Sequence, residues 1–558
     1  MNDDERWWQA ATGYQVYPRS FCDSDGDGVG DLPGIVSKLD HLAELGIGFI
    51  WLSPVFASPM ADNGYDISDY RAIAPDFGTL SDFDRLVAEA EARGIGIVMD
   101  LVVNHTSSDH TWFRAARNDP GAEEHAFYIW REPGPDGGPP DDQQAVFGGP
   151  AWHWVEEVRR YHYGHFSAEQ PDLNWDNPAL RARIWDMMRW WLDRGVRGFR
   201  MDVISLIGKD VDARIYEEGP TLHAHLQEMH REVLAGRDLV SIGETWGVST
   251  ATAPLYSGRA RGELDMVFQF AHVTEGWDPV RGKWAARPFD VPAFKRVMNA
   301  WQEALAEDGW NALFLSNHDL PRQVSRYGSD GKHRVASAKA LATVMHLMKG
   351  TPFVYQGEEI GMTNAGFTRI DQYRDLETLR HYAGQIAAGV PPEAFLAGAR
   401  AFSRDNARTP MQWTGGPNAG FTAGTPWIEA NPNHAKINVE ADKADPDGIF
   451  HHYRRLIALR RDMAIVRHGR YRPHLEAHPA IFAYSRAQDG ERLVVVANLS
   501  PRAFAEDMPD WLPHDGETLI ASHGAPDLTG ATLSLRPYES FCIHVAGEAT
   551  GRGDAGPS

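Results

Sequence analysis

NPALRARIWDMMRWWLDRGVRGFRMD, residues 177–202, reads as one helix feeding one strand. Asn177–Arg194 carries a helical apolar pattern. Val196–Asp202 (VRGFRMD) is a short apolar run that stops on Arg-Met-Asp. The unit recurs in both directions. Upstream lie Gly13–Tyr17 (GYQVY), Ile47–Leu52 (IGFIWL, after the amphipathic stretch Leu32–Leu45) and Ile95–Asp100 (IGIVMD, after Ser81–Arg93). Downstream lie Leu239–Glu244 (LVSIGE), Leu264–Phe268 (LDMVF), Ala312–Asn317 (ALFLSN) and Pro352–Gln356 (PFVYQ). Continuous apolar strands alternating with helices predict a parallel sheet buried on both faces. Eight such units predict an α/β fold closed as a (β/α)8 TIM barrel.

Two regions break the rhythm. Between the third and fourth strands, residues rich in Gly, Pro, Asp and aromatics predict a small inserted domain over 105–175. After the helical stretch His451–Arg461 come short alternating runs: Ala480–Ser485, Leu493–Ala497, Thr518–Ala521 and Phe541–Val545. They predict a C-terminal antiparallel β-sandwich over 471–547. The barrel takes 1–104 and 176–470. The small polar residues 548–558 read as a frayed tail.

Composition bounds the partners. A formal net charge of −23 argues against nucleic acid or an anionic membrane as partner, because both demand a basic face. Nineteen Trp, 17 Tyr and 24 Phe fit a protein that packs aromatic rings on sugar faces, although a large core also uses them. Two cysteines, Cys22 and Cys542, exclude a disulfide framework and fit a reducing compartment. The N-terminus lacks a basic segment followed by an apolar one, and no apolar run reaches about 18 residues, so a cytoplasmic enzyme is expected. Oligomeric state is not readable.

Charge gathers where the strand patterns stop: Asp100 then Asn104-His105, Arg200 and Asp202, Glu244, and His318-Asp319. In a barrel these ends share one face, the face that carries catalysis. A single Asp after a strand is usually a helix cap. Several carboxylates at several strand ends instead converge on one pocket. Arg200 lies two residues before Asp202, points the same way along a strand, and is expected to keep Asp202 ionised. His105 and His318 would offer hydrogen bonds to a bound sugar.

These segments carry a family resemblance. DLVVNH (100–105), GFRMDV (198–203), GET (243–245) and SNHD (316–319) resemble, in order, the signature regions of the α-amylase family of glycoside hydrolases, family 13. QPDLNW (170–175) and TPFVYQGEEIGM (351–362) are similar to its oligo-1,6-glucosidase and α-glucosidase branch. The resemblance implies Asp202 as nucleophile, Glu244 as acid/base and Asp319 as the third carboxylate, which binds sugar hydroxyls. It implies His105, Arg200 and His318 around the glucose, and a structural role for Asp100. A retaining glycosidase needs its attacking carboxylate and its carboxylic acid about 5–5.5 Å apart, and the acid should have a raised pKa.

MADNGYDISDY (60–70) and SRDNARTPMQW (403–413) resemble the glucosidase forms of their loops. They imply that Asp62 grips the terminal glucose, Tyr65 stacks under it, and Arg404 pairs with Asp62 to close the pocket. Phe147 (in FGGPAW) and Phe166 (in HFSAEQPDLNW) match phenylalanines that wall the same site. Val203 after the nucleophile goes with α-1,6 substrates in the family, whereas Ala or Thr goes with α-1,4. TWGVST (245–250) departs from the oligo-1,6-glucosidase pattern on the leaving-group side.

DSDGDGVGD (23–31) alternates carboxylates with small residues, as a hard cation prefers. It starts like an EF-hand loop, but Gly34 stands where the closing Glu belongs. It resembles the branch's first metal loop, which implies a structural calcium, or magnesium, on Asp23, Asp25, Asp27, Asp31 and the Val29 carbonyl. No organic cofactor is implied. The expected activity is therefore retaining, exo-acting release of glucose from short oligosaccharides. A glucosyl transferase or sucrose-acting enzyme, an endo-amylase, and a non-catalytic transporter subunit on the same fold are the alternatives.

Overall fold

Eight parallel strands close into a ring: β1 (Gly13–Val16), β2 (Phe49–Leu52), β3 (Gly96–Leu101), β4 (Gly198–Met201), β5 (Val240–Thr245), β6 (Met266–Gln269), β7 (Asn311–Leu313) and β8 (Thr351–Tyr355). Each pairs with the next in sequence, and β8 returns to β1 with Phe353 opposite Gly13. In this computed structural model, residues 5–278, 281–285 and 287–547 are described; the tail read at 548–558 lies outside them.

The strands show no alternation of polarity because both faces are covered. Phe49, Trp51, Val98, Val240, Ile242, Met266, Phe268 and Phe353 fill the lumen as one cluster. Their neighbours Ile50, Leu52, Ile97, Met99, Phe199 and Met201 pack outward under the helices in another. The helix Pro178–Leu192 that opened the sequence reading begins where Asn177 accepts from the Ala179 N–H, with Pro in its first turn.

The insertion after β3 holds a helix, Thr111–Asn118, and a three-stranded antiparallel sheet built from Trp130–Arg131, Trp152–Val155 and Arg160–Tyr163. Lys209, from the loop after β4, anchors it. Its ammonium lies 3.0 Å from Asp172 and donates to Asn104 at 2.7 Å. Between β8 and the helix Ile449–Asp462 the chain makes a long excursion carrying two helices, Leu376–Ala387 and Pro392–Phe402. The sequence reading had not resolved them.

The C-terminal strands β9 (Arg470–His474), β10 (Ile481–Gln488), β11 (Glu491–Asn498), β12 (Glu517–Ala521) and β13 (Ser540–Val545) form one antiparallel sheet, in the order 9-10-11-13-12. Phe482, Tyr484, Val495 and Cys542 face the barrel core. Ile481, Val494, Val496 and Ile543 face the other way, onto Leu533 and Leu535 of a two-stranded sheet formed by Phe504–Asp507 and Thr532–Leu535. Both cysteines are free and buried.

Candidate active site

Strand register assembles the carboxylates. Asp100 on β3 stands opposite Arg200 on β4, and Ile242 on β5 stands on the other side of Arg200. Two residues along each strand, the period that returns a side chain to the same face, bring Asp202 and Glu244 to the same end. Asp319 arrives from the loop after β7.

Arg200 is buried beneath them. Its Nη1 donates to both oxygens of Asp100 (2.8 and 3.0 Å) and to Asp202 Oδ1 (3.0 Å), while its Nη2 lies 2.6 Å from Glu244 Oε2. The Trp51 ring supports the guanidinium at 4.7 Å. Asp100 is further engaged by Trp51 Nε1 and the Tyr65 hydroxyl, at 2.9 and 3.0 Å. This corrects one expectation. Arg200 is not reserved for Asp202; one guanidinium is divided among three carboxylates. Burial therefore wins for Asp202, whose carboxyl is pushed well above the usual range. Arg200 opposes that rise, and Glu244, Asp100 and Asp319 reinforce it. Burial also raises Glu244, against Arg200 and with Asp319, as a proton donor requires.

Asp319 goes the other way. Burial alone would raise it, but His318, Arg404 and Arg408 outweigh burial and hold it far below the carboxylate range. His318 is itself pushed down to about 3 by burial, so at neutral pH the two arginines carry the effect. Arg408 Nη2 donates to Asp319 Oδ1 at 2.7 Å and Arg404 Nη1 at 3.4 Å.

Val203 carries strain next to this cluster. Its φ is 37°, left-handed for a β-branched residue, and its N–H donates to Glu244 Oε2 at 3.0 Å. Nothing in the sequence signals that conformation.

A cavity of about 570 Å³ opens over the carboxylates. One end is shut. Arg404 Nη2 bonds Asp62 Oδ1 at 3.0 Å and lies 2.6 Å from Asp375. Gln170 donates to the other Asp62 oxygen at 3.2 Å. Burial pushes Asp62 up to about 6 despite Arg404 and Arg408. Phe147 packs its ring under Arg404 at 4.9 Å and meets Phe166 at 5.5 Å, and Phe166 meets His105 at 5.3 Å. His105 contacts the Tyr65 carbonyl at 3.0 Å, and burial lowers it to about 4.

Six of the residues expected at the sugar therefore line one cavity: Asp62, Tyr65, His105, Phe147, Phe166 and Arg404, together with Asp202, Glu244 and Asp319. Arg200 and His318 lie one layer deeper, with His318 stacked under Tyr65 at 5.1 Å. Sequence reading missed Gln170, Arg408 and Asp375, which orient Asp62, Asp319 and Arg404. Gln170 and Arg408 sit inside motifs already singled out; Asp375 had no signal. It also missed the outer wall, where Trp246 follows β5, Lys283 and Trp284 come from the loop after β6, and Glu377 comes from the first turn of the helix Leu376–Ala387.

In the first loop, Asp23, Asp25 and Asp27 bring carboxylate oxygens within 4.8 Å of one another. Asp23 accepts from the Gly26 and Gly28 N–H groups and from Thr422. Asp31 is not part of that group. One of its oxygens caps the helix Leu32–Val36 through Gly34 N, and the other accepts from Ser24.

The comparisons agree with this geometry. A family model of the alpha amylase catalytic domain matches residues 15–469, and one of the alpha-amylase SusG C-terminal domain matches 481–542. The chain is 51% identical to a palatinase of Erwinia rhapontici over 542 residues, 96% of this chain and 98% of the relative. It is 48% identical to an oligo-1,6-glucosidase of Halalkalibacterium halodurans over 552 residues, again 96% and 98%. The crystal structure of a trehalose-6-phosphate hydrolase from Bacillus licheniformis superposes with a TM-score of 0.92 at 43% identity, covering 97% of this chain and all of that one. The chain belongs to the α-amylase family, glycoside hydrolase family 13. It is a glycoside hydrolase of the α-glucosidase and oligo-1,6-glucosidase type.

Proposed function

We propose that the protein is a retaining, exo-acting α-glucosidase that releases glucose from the non-reducing end of short α-glucosides, with α-1,6 linkages preferred. The ion pair of Asp62 and Arg404 carries the reading. Arg404 touches both Asp62 and Asp319, so a wall stands one side chain from the catalytic carboxylates. An endo-acting enzyme needs that direction open for further sugar units. In the reaction, Asp202 attacks the anomeric carbon while Glu244 gives its proton to the leaving oxygen. Water then displaces Asp202 and returns a proton to Glu244. An acceptor sugar in place of water would give glucosyl transfer. Val203 and the names of the relatives, palatinase and oligo-1,6-glucosidase, support the linkage.

A hydrolysis panel tests this. Isomaltose is expected to be cleaved faster than maltose, and starch barely at all. Proton NMR should show α-glucose as the first product. β-Glucose appearing first, or internal cleavage of starch, overturns the reading.

A calcium or magnesium ion on Asp23, Asp25 and Asp27, with the Val29 carbonyl, belongs to the same proposal. Three carboxylates in one turn repel one another, and a divalent ion would neutralise them. Burial, with Asp25 and Asp23, already raises Asp27. The loop clamps the later part of the long excursion, through Asp23 N to Phe421 O and Trp427 N to Gly28 O, each 3.0 Å. EDTA should therefore lower the melting temperature by several degrees, and added calcium should restore it. Unchanged melting excludes the ion.

A further inference from the structure

Glu217 has no part in the reaction as described, yet it lines the same cavity as Glu244 and Trp246. It comes from the loop after β4. Its Oε2 is buried and makes no hydrogen bond among the described residues. Ser205 and the Gly247 N–H are the polar groups that face the carboxyl. A buried carboxylate oxygen left unpaired is costly, and such groups in native proteins usually await a ligand or a water. Burial raises its carboxyl, Ser205 and the Gly247 N–H oppose the rise, and Glu244 and Glu218 reinforce it, so the group sits within the field of the acid/base.

The chain is built to keep Glu217 there. A Cβ on Gly247 would meet Glu217 Cβ and Cγ at 2.9 Å, so only glycine admits the side chain at this point. Gly247 belongs to TWGVST, the stretch after Glu244 that departs from the family pattern. At the loop's far end, a Cβ on Gly219 would meet the Gly208 carbonyl at 1.9 Å, which pins the loop's two ends together. Glu218 next to it holds φ at 52°.

Asp62 and Arg404 close the glucose end, and Glu244 protonates the bond to the leaving group. Glu217 lines the same cavity, packed on Gly247 in the segment that follows Glu244, which is the placement a contact to the leaving sugar requires. We infer that Glu217 is a specificity residue that accepts a hydrogen bond from a hydroxyl of the leaving-group sugar, and that Gly247 is the residue that makes room for it. The inference rests on the glucosidase reading above.

The test compares two substrates. Isomaltose has a leaving group with hydroxyls; p-nitrophenyl α-glucoside has none. A hydrogen bond to a charged acceptor is worth roughly a ten- to hundredfold factor. Glu217→Ala should lower the ratio of kcat/KM for isomaltose to that for the nitrophenyl glucoside at least about tenfold, mainly through KM. Glu217→Gln, which keeps an acceptor oxygen, should recover part of it. Gly247→Ala, which displaces the carboxylate, should reproduce the loss. An equal fall on both substrates, or a lower melting temperature with an unchanged ratio, makes Glu217 a structural residue and overturns the inference. If the native enzyme cleaves neither substrate, the glucosidase reading itself fails.

Discussion

Asp202→Ala is expected to lower kcat on every α-glucoside by on the order of 10⁴-fold or more, while the protein folds as well as before. The activity loss follows from removing the attacking oxygen. The intact fold follows from the electrostatics: Asp100, Asp202 and Glu244 share the single guanidinium of Arg200, so deleting one carboxylate relieves repulsion rather than stranding a cation. Melting should hold or rise. Glu244→Ala should cost less on p-nitrophenyl α-glucoside than on isomaltose, because nitrophenolate leaves without a proton. Azide separates the two roles. With Asp202→Ala, azide takes the nucleophile's place and should yield β-glucosyl azide from the nitrophenyl substrate. With Glu244→Ala, azide attacks the Asp202-bound glucosyl group from the opposite face and should yield α-glucosyl azide. The reverse products would exchange the two assignments.

Arg404→Ala should damage both activity and stability, and this contrast with Asp202 is the second expectation. Arg404 bonds Asp62 and Asp319 and lies against Asp375, all in the buried end of the pocket. Without it, Arg408 is left among the described residues to pair with Asp319 at 2.7 Å and Asp375 at 3.7 Å. Breaking a buried pair by removing one partner costs about 3–5 kcal/mol. The melting temperature should fall clearly, and kcat/KM should drop on the order of 10²–10³-fold. Lysine keeps the charge but not the planar fork, so Arg404→Lys should be intermediate. The pH dependence adds a signature. Asp62 is already pushed up to about 6 by burial, against Arg404 as the first opposing charge. Losing Arg404 moves it higher, so the acidic fall in kcat/KM should begin at higher pH. A variant with native kcat/KM and an unmoved acidic limb would mean that the closed wall does not hold the terminal glucose.

The barrel strands were legible because each is a run of local apolar residues between turn-forming ones. The catalytic carboxylates were legible because each terminates such a run. The first half of the long excursion was not, because Leu376–Ala387 and Pro392–Phe402 carry no catalytic signature of their own. Their importance comes from where Asp375 and Glu377 land. Asp31 shows what a motif leaves open. It sits in step with the other loop carboxylates, and in the structure one of its oxygens also caps a helix while the other accepts from Ser24.

The order of strands and motifs by itself determined that this chain closes a barrel and points Asp202, Glu244 and Asp319 to one end. Strand register has a period of two, so side chains two apart must share a face. What only the tertiary structure decided is how charge is shared there. Arg200 serves three carboxylates, Arg404 ties Asp62 to Asp319 across 342 positions from its first partner, and Glu217 is seated by Gly247. Such contacts depend on loops of different lengths meeting in space. The groups then move in different directions: burial takes Asp202 and Glu244 upward, and Asp319 goes downward where His318, Arg404 and Arg408 outweigh it.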